Sequence, residues 1–169
     1  MGLAAFARWL RPDLLVNSLE EIPLGRLQQR GIRAFILDLD NTVTFWQSDT
    51  VAEATRAWLH HVRERGFAVC LSSNNSYARG APVAACLGLP LVPSAGKPRR
   101  RAFYQALDIL GTGPQETAVI GDQIFTDVFG AKRLGMFCIL VRPLGPREFI
   151  TTRLLRHLER LVIRCWESG

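Results

Sequence analysis

Four groups of polar residues follow short apolar runs in this chain of 169 residues. They are Asp38 and Asp40 in DLDNT, Ser73-Asn74-Asn75 after FAVCLS, Lys97 ahead of Pro98, and Asp122 with Asp127 in GDQIFTD. Two neighbouring carboxylates offer a nucleophile and an acid–base group, and a third carboxylate can share a divalent cation with the first. A hydroxyl and an ammonium group bind anionic oxygens. This combination suits the hydrolysis of a phosphate monoester.

Each carboxylate has a distinct expected role. Asp38 ends a predicted buried strand and is the expected nucleophile. Asp40 lies beyond a tight turn, where it would protonate the leaving oxygen and later deprotonate the attacking water. Asp122 would meet Asp38 and hold Mg²⁺, which takes a few carboxylates and keeps several waters. Asp127 would orient a metal-bound water or the lysine from a second layer.

The phosphate oxygens need donors and positive charge. Ser73 offers a hydroxyl and a backbone N–H, and Lys97 offers a point charge to both the nucleophile and the phosphate. Only two lysines occur among the 21 basic residues, so few ammonium groups are available. Ser72 is an alternative phosphate ligand, but Ser73 is favoured because Asn74 and Asn75 follow it directly, and Asn74 is a further candidate substrate contact.

Strands and helices are predicted to alternate along the chain. Apolar runs predict five strands in RAFILDL, FAVCLS, LPLV, TAVIG and FCILV, with helices near 53–65, 77–88, 98–110 and 126–134. This alternation is typical of an α/β fold in which a doubly wound parallel sheet carries helices on both faces. The carboxyl ends of parallel strands meet at one rim, where ligands bind. The four polar groups should therefore converge there.

Three regions are expected. Residues 1–33 form an N-terminal helical arm, 34–145 form the core, and 146–169 form an amphipathic helix that either packs on the core or lies at a membrane interface. In the predicted helix near 53–65, Ala57, Leu59 and Val62 are expected to face the sheet.

The motifs DLDNT, Ser73, Lys97 and GDQIFTD resemble, in order, the four motifs of the haloacid dehalogenase (HAD) superfamily. The stretch 9–145 resembles the YqeG-type subfamily of HAD phosphatases, which is similar to phosphatases acting on phosphatidylglycerophosphate. Members with small substrates commonly carry an inserted cap domain. The intervals between Asp40, Ser73 and Lys97 are filled by the sheet's own elements, so a capless enzyme with an open rim is expected.

The resemblance also implies roles for individual residues. It implies a Rossmann-like sheet and a phospho-aspartate intermediate on Asp38, with Asp40 as acid and base. It implies Mg²⁺ held by Asp38, Asp122 and the backbone carbonyl of Asp40, with Ser73 and Lys97 binding phosphate.

The substrate that the resemblance implies is phosphatidylglycerophosphate, placing the enzyme in phospholipid biosynthesis. The alternatives are a bulky substrate such as a nucleic-acid end or a phosphoprotein, or a non-catalytic phosphate-binding scaffold. The net charge of +6 favours anionic partners, among which a lipid head group at a membrane surface is preferred to nucleic acid. No apolar run approaches the roughly 20 residues of a membrane-spanning helix. A cytoplasmic protein, with peripheral contact to the inner face of the membrane as an option, is expected.

Overall fold

The computed structural model describes residues 9–145, which form a parallel sheet of six strands. The strands are β1 (Leu14–Val16), β2 (Ala34–Asp38), β3 (Ala68–Ser72), β4 (Leu91–Val92), β5 (Thr117–Gly121) and β6 (Phe137–Val141). Their order in the sheet is β1-β6-β5-β2-β3-β4, and every neighbouring pair is parallel. The predicted α/β class and doubly wound sheet are confirmed.

Five α-helices and three further helical turns connect the strands of the described region. The helices are α1 (Leu24–Gln29), α2 (Glu53–Glu64), α3 (Tyr77–Leu87), α4 (Arg100–Leu110) and α5 (Phe129–Lys132). The turns are 3-10 turns at Leu19–Glu21 and Pro114–Glu116 and a π-helical turn at Ile124–Val128. Between residues 9 and 145, none of these helices is long and apolar enough to cross a bilayer.

Side chains alternate between the two faces of the sheet. Phe35 and Leu37 of β2 pack in one buried cluster with Trp58 of α2, together with side chains of α1 and α3. Ile36, between them in the chain, packs in a second cluster with Phe103 of α4 and with α5. Because successive strand residues point to opposite faces, the apolar strand is covered on both sides by helices.

The residues by which helix α2 packs on the sheet differ in part from the expected ones. Leu59 and Val62 are buried as predicted, but Ala57 is exposed. Thr55 and Trp58 are buried instead, because the stripe follows the i, i+3, i+4, i+7 spacing from residue 55.

Strand β1 was not predicted. Residues 14–16 fall in the expected N-terminal arm, yet Leu14 pairs with Ile139 at the edge of the sheet. Asp13 fixes the start of the strand, because its Oδ2 accepts the backbone N–H of Cys138 at 2.8 Å and its Oδ1 accepts Lys132 Nζ at 2.6 Å. A three-residue strand is too short to show a hydrophobic period. The expected C-terminal helix at 146–169 lies outside the described residues.

The strand order reverses at β2. The chain runs outward from β2 to β3 and β4, then crosses back to β5 and β6 on the other side of β2. Loops diverge at such a switch point and leave a crevice at the carboxyl ends of the strands. The intervals 41–72 and 74–96 contain only the sheet's own connections, α2, α3 and the strands, so the capless prediction is confirmed.

Candidate active site

A small cavity opens at the carboxyl rim of the sheet, beside the switch point. Its volume is about 120 Å³, and it is lined by Asp38, Asp40, Asn41, Trp46, Ser73, Asn74, Asn75, Lys97, Gln123 and Thr126. The cavity thus brings together five predicted residues from three segments distant in sequence. Asp122 and Asp127 complete the site, since each has a carboxylate oxygen within 4.8 Å of one from Asp38.

Lys97 is the centre of the hydrogen-bond network. Its Nζ donates to Asp38 Oδ1 at 2.6 Å, Asp127 Oδ1 at 2.7 Å and the carbonyl oxygen of Ser72 at 3.1 Å. Its side chain is only 2% exposed. An ammonium group has three N–H donors, and all three are engaged here. Lys97 therefore holds Asp38 and Asp127 in place, and it would act on an anion in the cavity mainly through its charge.

The site contains more acidic than basic groups, which favours the binding of a cation. Asp38, Asp122 and Asp127 are all buried, and the ammonium group of Lys97 pairs with two of them, Asp38 and Asp127. If all four groups are ionised, three carboxylates against one ammonium leave two negative charges in excess, which is costly in a buried site. Clustered carboxylate oxygens are the ligands of hard divalent cations. The donor set thus fits a divalent metal ion.

Burial and charge perturb both members of the central ion pair. Burial raises the pKa of Asp38, while the charge of Lys97 opposes that increase and the charge of Asp127 adds to it. Burial alone would lower the pKa of Lys97, but the carboxylates of Asp127 and Asp38 outweigh it, so that the pKa is raised and Lys97 stays charged at neutral pH.

Asp40 is held by three donors beyond the end of β2. Its Oδ1 accepts Arg79 Nη2 at 2.8 Å and the backbone N–H of Gln47 at 3.2 Å, and its Oδ2 accepts Asn75 Nδ2 at 2.8 Å. The turn that carries Asp40 is closed by the N–H of Asn41, which donates to Thr44 O at 2.7 Å. The carboxylate thus has a fixed orientation at the wall of the cavity.

The two candidate serines have different environments. Ser73 lines the cavity, whereas Ser72 lies behind it and contributes its carbonyl oxygen to Lys97. The expectation that Ser73 offers its backbone N–H is wrong, because that N–H donates to Val92 O at 3.0 Å within the sheet. Its Oγ accepts the N–H of Asn75 at 3.1 Å, which leaves the hydroxyl proton for a ligand.

Asn74 has a clear local task. Its Oδ1 accepts the backbone N–H of Lys97 at 2.7 Å, and its Nδ2 donates to the carbonyl oxygen of Lys97 at 3.2 Å. Both amide atoms are thus used in fixing the loop that presents the lysine. A direct contact of this amide with substrate stays a prediction.

Asp127 is positioned by the π-helical turn. A single helix was expected over 126–134, but the five-residue turn Ile124–Val128 precedes the short α5. The turn directs Asp127 back toward β5, where a Cβ built on Gly121 would lie 2.3 Å from Asp127 Oδ2. Wide turns of this type often occur at functional sites. Glycine at the end of β5 is what lets the carboxylate reach Lys97.

Two residues of the site could not be assigned from the sequence. Arg79 is one of many arginines, and no pattern pairs it with Asp40, 39 positions away. Trp46 lines the cavity, and no motif of the sequence marks it as a site residue. A useful signal for Arg79 was its place in the first turn of α3, the end of that helix nearest the rim.

Fold and site together define a class of protein: a doubly wound α/β protein with a buried carboxylate cluster at the switch point that could hold a divalent cation. The sequence matches the profile of the haloacid dehalogenase-like hydrolases across residues 18–135. The chain is 32% identical over 156 residues to the probable phosphatase YqeG of Bacillus subtilis, covering 92% of this chain and 91% of that protein. The chain therefore belongs to the haloacid dehalogenase-like hydrolase family.

More distant similarities agree with this membership. The chain is 24% identical to the mitochondrial phosphatidylglycerophosphatase of Saccharomyces cerevisiae, covering 78% of this chain and 77% of that protein. Its fold matches the cobalt-bound structure of the deoxy-D-mannose-octulosonate 8-phosphate phosphatase of Haemophilus influenzae, with a TM-score of 0.53 and 14% identity over 81% of this chain and 90% of the other.

Proposed function

We propose that this enzyme, a phosphatase of the haloacid dehalogenase-like hydrolase family, hydrolyses phosphate monoesters through a phospho-aspartate on Asp38. The observation that carries the proposal is the ion pair of Lys97 with Asp38, 2.6 Å long and buried, in the lining of the cavity. It fixes one oxygen of the carboxylate and leaves the other for attack. A rigidly held nucleophile lowers the entropic cost of the reaction.

The reaction has two steps. A carboxylate oxygen of Asp38 attacks phosphorus, the bond to the leaving oxygen breaks, and Asp40 gives that oxygen its proton. Asp40 then takes a proton from a water that attacks the phospho-aspartate, which releases inorganic phosphate and restores Asp38. The hydroxyl of Ser73 would donate to a phosphate oxygen in both steps, a role supported by its position in the cavity lining.

Magnesium is the cation we propose for this site. Asp38, Asp122 and the backbone carbonyl of Asp40 would bind the ion directly, and Asp127 would orient a metal-bound water or Lys97. When bound, Mg²⁺ would neutralise charge on the phosphate oxygens. The excess of buried negative charge among Asp38, Asp122 and Asp127 supports this assignment.

The substrate we propose is phosphatidylglycerophosphate, converted to phosphatidylglycerol. The cavity admits little more than a phosphoryl group, so the rest of any substrate stays outside. The mouth is bordered by exposed apolar side chains, with Phe45 53%, Tyr77 66% and Leu144 40% exposed. Phe45 adjoins the cavity residue Trp46, and Leu144 donates its N–H to Asn41 O at 2.9 Å. Such a border suits a lipid at a membrane surface.

A panel of phosphate esters tests the proposal. Phosphatidylglycerophosphate in mixed micelles, glycerol 3-phosphate, a 5′-phosphorylated oligonucleotide and p-nitrophenyl phosphate are compared by phosphate release with Mg²⁺. The lipid should have the highest kcat/KM. Asp38→Asn should abolish release from every ester, whereas Asp108→Asn on the exposed face of α4 should not change it.

The other results have definite meanings. Preference for the oligonucleotide would overturn the lipid assignment and leave the phosphatase intact. Absence of turnover for every ester would favour a phosphate-binding scaffold. Full activity of Asp40→Asn would show that another group is the acid.

A further inference from the structure

Arg79 links the general acid to a loop beside the cavity. Its Nη2 donates to Asp40 Oδ1 at 2.8 Å, to Thr44 Oγ1 at 3.2 Å and to the carbonyl oxygen of Ser48 at 3.0 Å. Its Nη1 donates to Asp49 Oδ1 at 2.9 Å. The Arg79 side chain is 15% exposed, so this guanidinium is not a solvent-screened surface charge.

Asp40 needs such an anchor because the sheet does not hold it. Asp38 ends β2, where it pairs with Ser72 of β3, and the preceding Leu37 pairs with Ile120 of β5. Asp40 lies two residues farther on, in the turn, where backbone pairing is limited to one isolated bridge with Thr44. The direction of its carboxylate is therefore set by side-chain contacts, and the ion pair with Arg79 is the charged one among them.

The contacts also distinguish the two oxygens of Asp40. Oδ1 accepts from the cationic Arg79 and from the backbone N–H of Gln47. Oδ2 accepts only the neutral amide of Asn75 among the described residues. Oδ1 is therefore the more firmly anchored oxygen, since it has two donors and one of them is charged, whereas Oδ2 has a single neutral donor.

We infer that Arg79 is a positioning residue for the reaction: its ion pair fixes the direction of the Asp40 carboxylate relative to the leaving group. The same guanidinium ties the loop 44–49, which carries the cavity residue Trp46, to the first turn of α3. This inference rests on the proposed function, in which Asp40 is the acid. Lysine cannot fully replace Arg79, since its ammonium group is a point charge and lacks the planar array of donors of the guanidinium group.

The test uses leaving groups of different basicity. The kcat/KM reports the steps through departure of the leaving group, which needs a proton for the alkoxide of glycerol 3-phosphate and hardly needs one for p-nitrophenolate. A displaced acid costs on the order of 10²-fold. Arg79→Met should therefore lower kcat/KM about 10²-fold for glycerol 3-phosphate and change it little for p-nitrophenyl phosphate, with Arg79→Lys between Arg79→Met and the wild type.

A double-mutant comparison separates positioning from a purely structural role. If Arg79 acts through Asp40, adding Arg79→Met to Asp40→Asn should cost little beyond Asp40→Asn alone, because coupled residues are not additive. The matched control is Arg63→Met. Arg63 donates to the carbonyl oxygens of Leu87 and Gly88 at the far end of α3, at 2.6 and 3.0 Å, so its loss should lower stability without any dependence on the leaving group.

Definite results would overturn the inference. Equal losses for both esters in Arg79→Met and Arg79→Lys, or additive losses in the double variant, would show that Arg79 only supports the structure. If the Arg79→Met variant does not fold, the test is made with Arg79→Lys alone, because lysine keeps the positive charge but has a shorter side chain. A wild-type chain without turnover, or Asp40→Asn without dependence on the leaving group, would refute the proposed function and this inference with it.

Discussion

At the scale of the residue, Lys97 determines the charge balance of the site. A buried ion pair contributes little compared with an apolar replacement, but the loss of one partner leaves the other charge buried and unpaired. Lys97 has two carboxylate partners, and the side chains of all three residues are at most 10% exposed. Its replacement therefore affects stability as well as catalysis.

Lys97→Met should lower the free energy of unfolding by about 3–5 kcal/mol, as for other broken buried pairs. The matched control is the chain's second lysine, since Lys132 pairs with Asp13 at 2.6 Å where the side chains are 22% and 29% exposed. Lys132→Met should cost about 0–1 kcal/mol. Chemical denaturation without divalent cations measures both. Equal losses in the two variants would contradict the charge balance described for the site.

At the scale of the element, the site depends on a close contact between β5 and the π-helical turn. An ordinary helix over 124–132 would not be expected to place Asp127 against the end of β5 in the same way. Gly121 permits the approach because it lacks a Cβ atom. The strand end and the turn thus act together in presenting the carboxylate to Lys97.

Gly121→Ala should displace Asp127, since the added Cβ would lie 2.3 Å from Oδ2 and 2.4 Å from Cγ. Overpacking of this kind typically costs about 1–3 kcal/mol of stability. Because Asp127 is displaced, the kcat/KM of Gly121→Ala for p-nitrophenyl phosphate should also decrease. Gly25→Ala is the control, because its nearest neighbour, Arg65 Nη1, is 3.7 Å away and the residue lies in helix α1. Unchanged activity of Gly121→Ala would mean that the position of Asp127 is not needed.

At the scale of the whole molecule, the clustered carboxylates come from both halves of the sheet. Asp38 ends β2 and Asp122 follows β5, on either side of the switch point. A cation bound between them would connect the two halves of the fold. The exposed apolar side chains Phe45 and Leu144 lie near the same rim, so that the proposed cation, nucleophile and membrane contact would all belong to one edge of the sheet.

Magnesium should therefore stabilise the folded protein. Binding to the native state adds about 2.7 kcal/mol at a free concentration 100 times Kd, which raises the melting temperature. Asp122→Asn should remove most of this increase while leaving the protein without magnesium no less stable, because one negative charge leaves the cluster. NaCl of equal ionic strength controls for screening. The same increase in Asp122→Asn as in the wild type would place the cation elsewhere.

The apolar border predicts a second behaviour of the whole molecule. Phe45→Ser with Leu144→Ser should reduce the rate on phosphatidylglycerophosphate in anionic vesicles and leave the rate on p-nitrophenyl phosphate unchanged. Ile109→Ser is the control: Ile109 is 50% exposed but lies at the end of α4 far from the rim. Equal rates on vesicles for all three proteins would exclude these side chains from membrane contact.

The sequence by itself determined which residues reach the rim. Asp38, Asp40 and Lys97 follow from the alternation of strands and helices, since every parallel strand brings its carboxyl end to the same edge. Local sequence also explains where α3 and α4 end, because Gly88 and Gly111 adopt positive φ of 59° and 65°, a conformation that glycine favours. Local sequence is enough for such features.

Only the tertiary structure decided what these residues contact. The anchoring of Asp40 by Arg79 joins residues 39 positions apart, and β1 forms only because β6 offers it an edge. The hydrogen bond that the Ser73 N–H donates to the carbonyl oxygen of Val92 depends in the same way on the pairing of β3 with β4. Long-range contacts of this kind leave no period in the sequence, because their geometry exists only after the sheet has assembled.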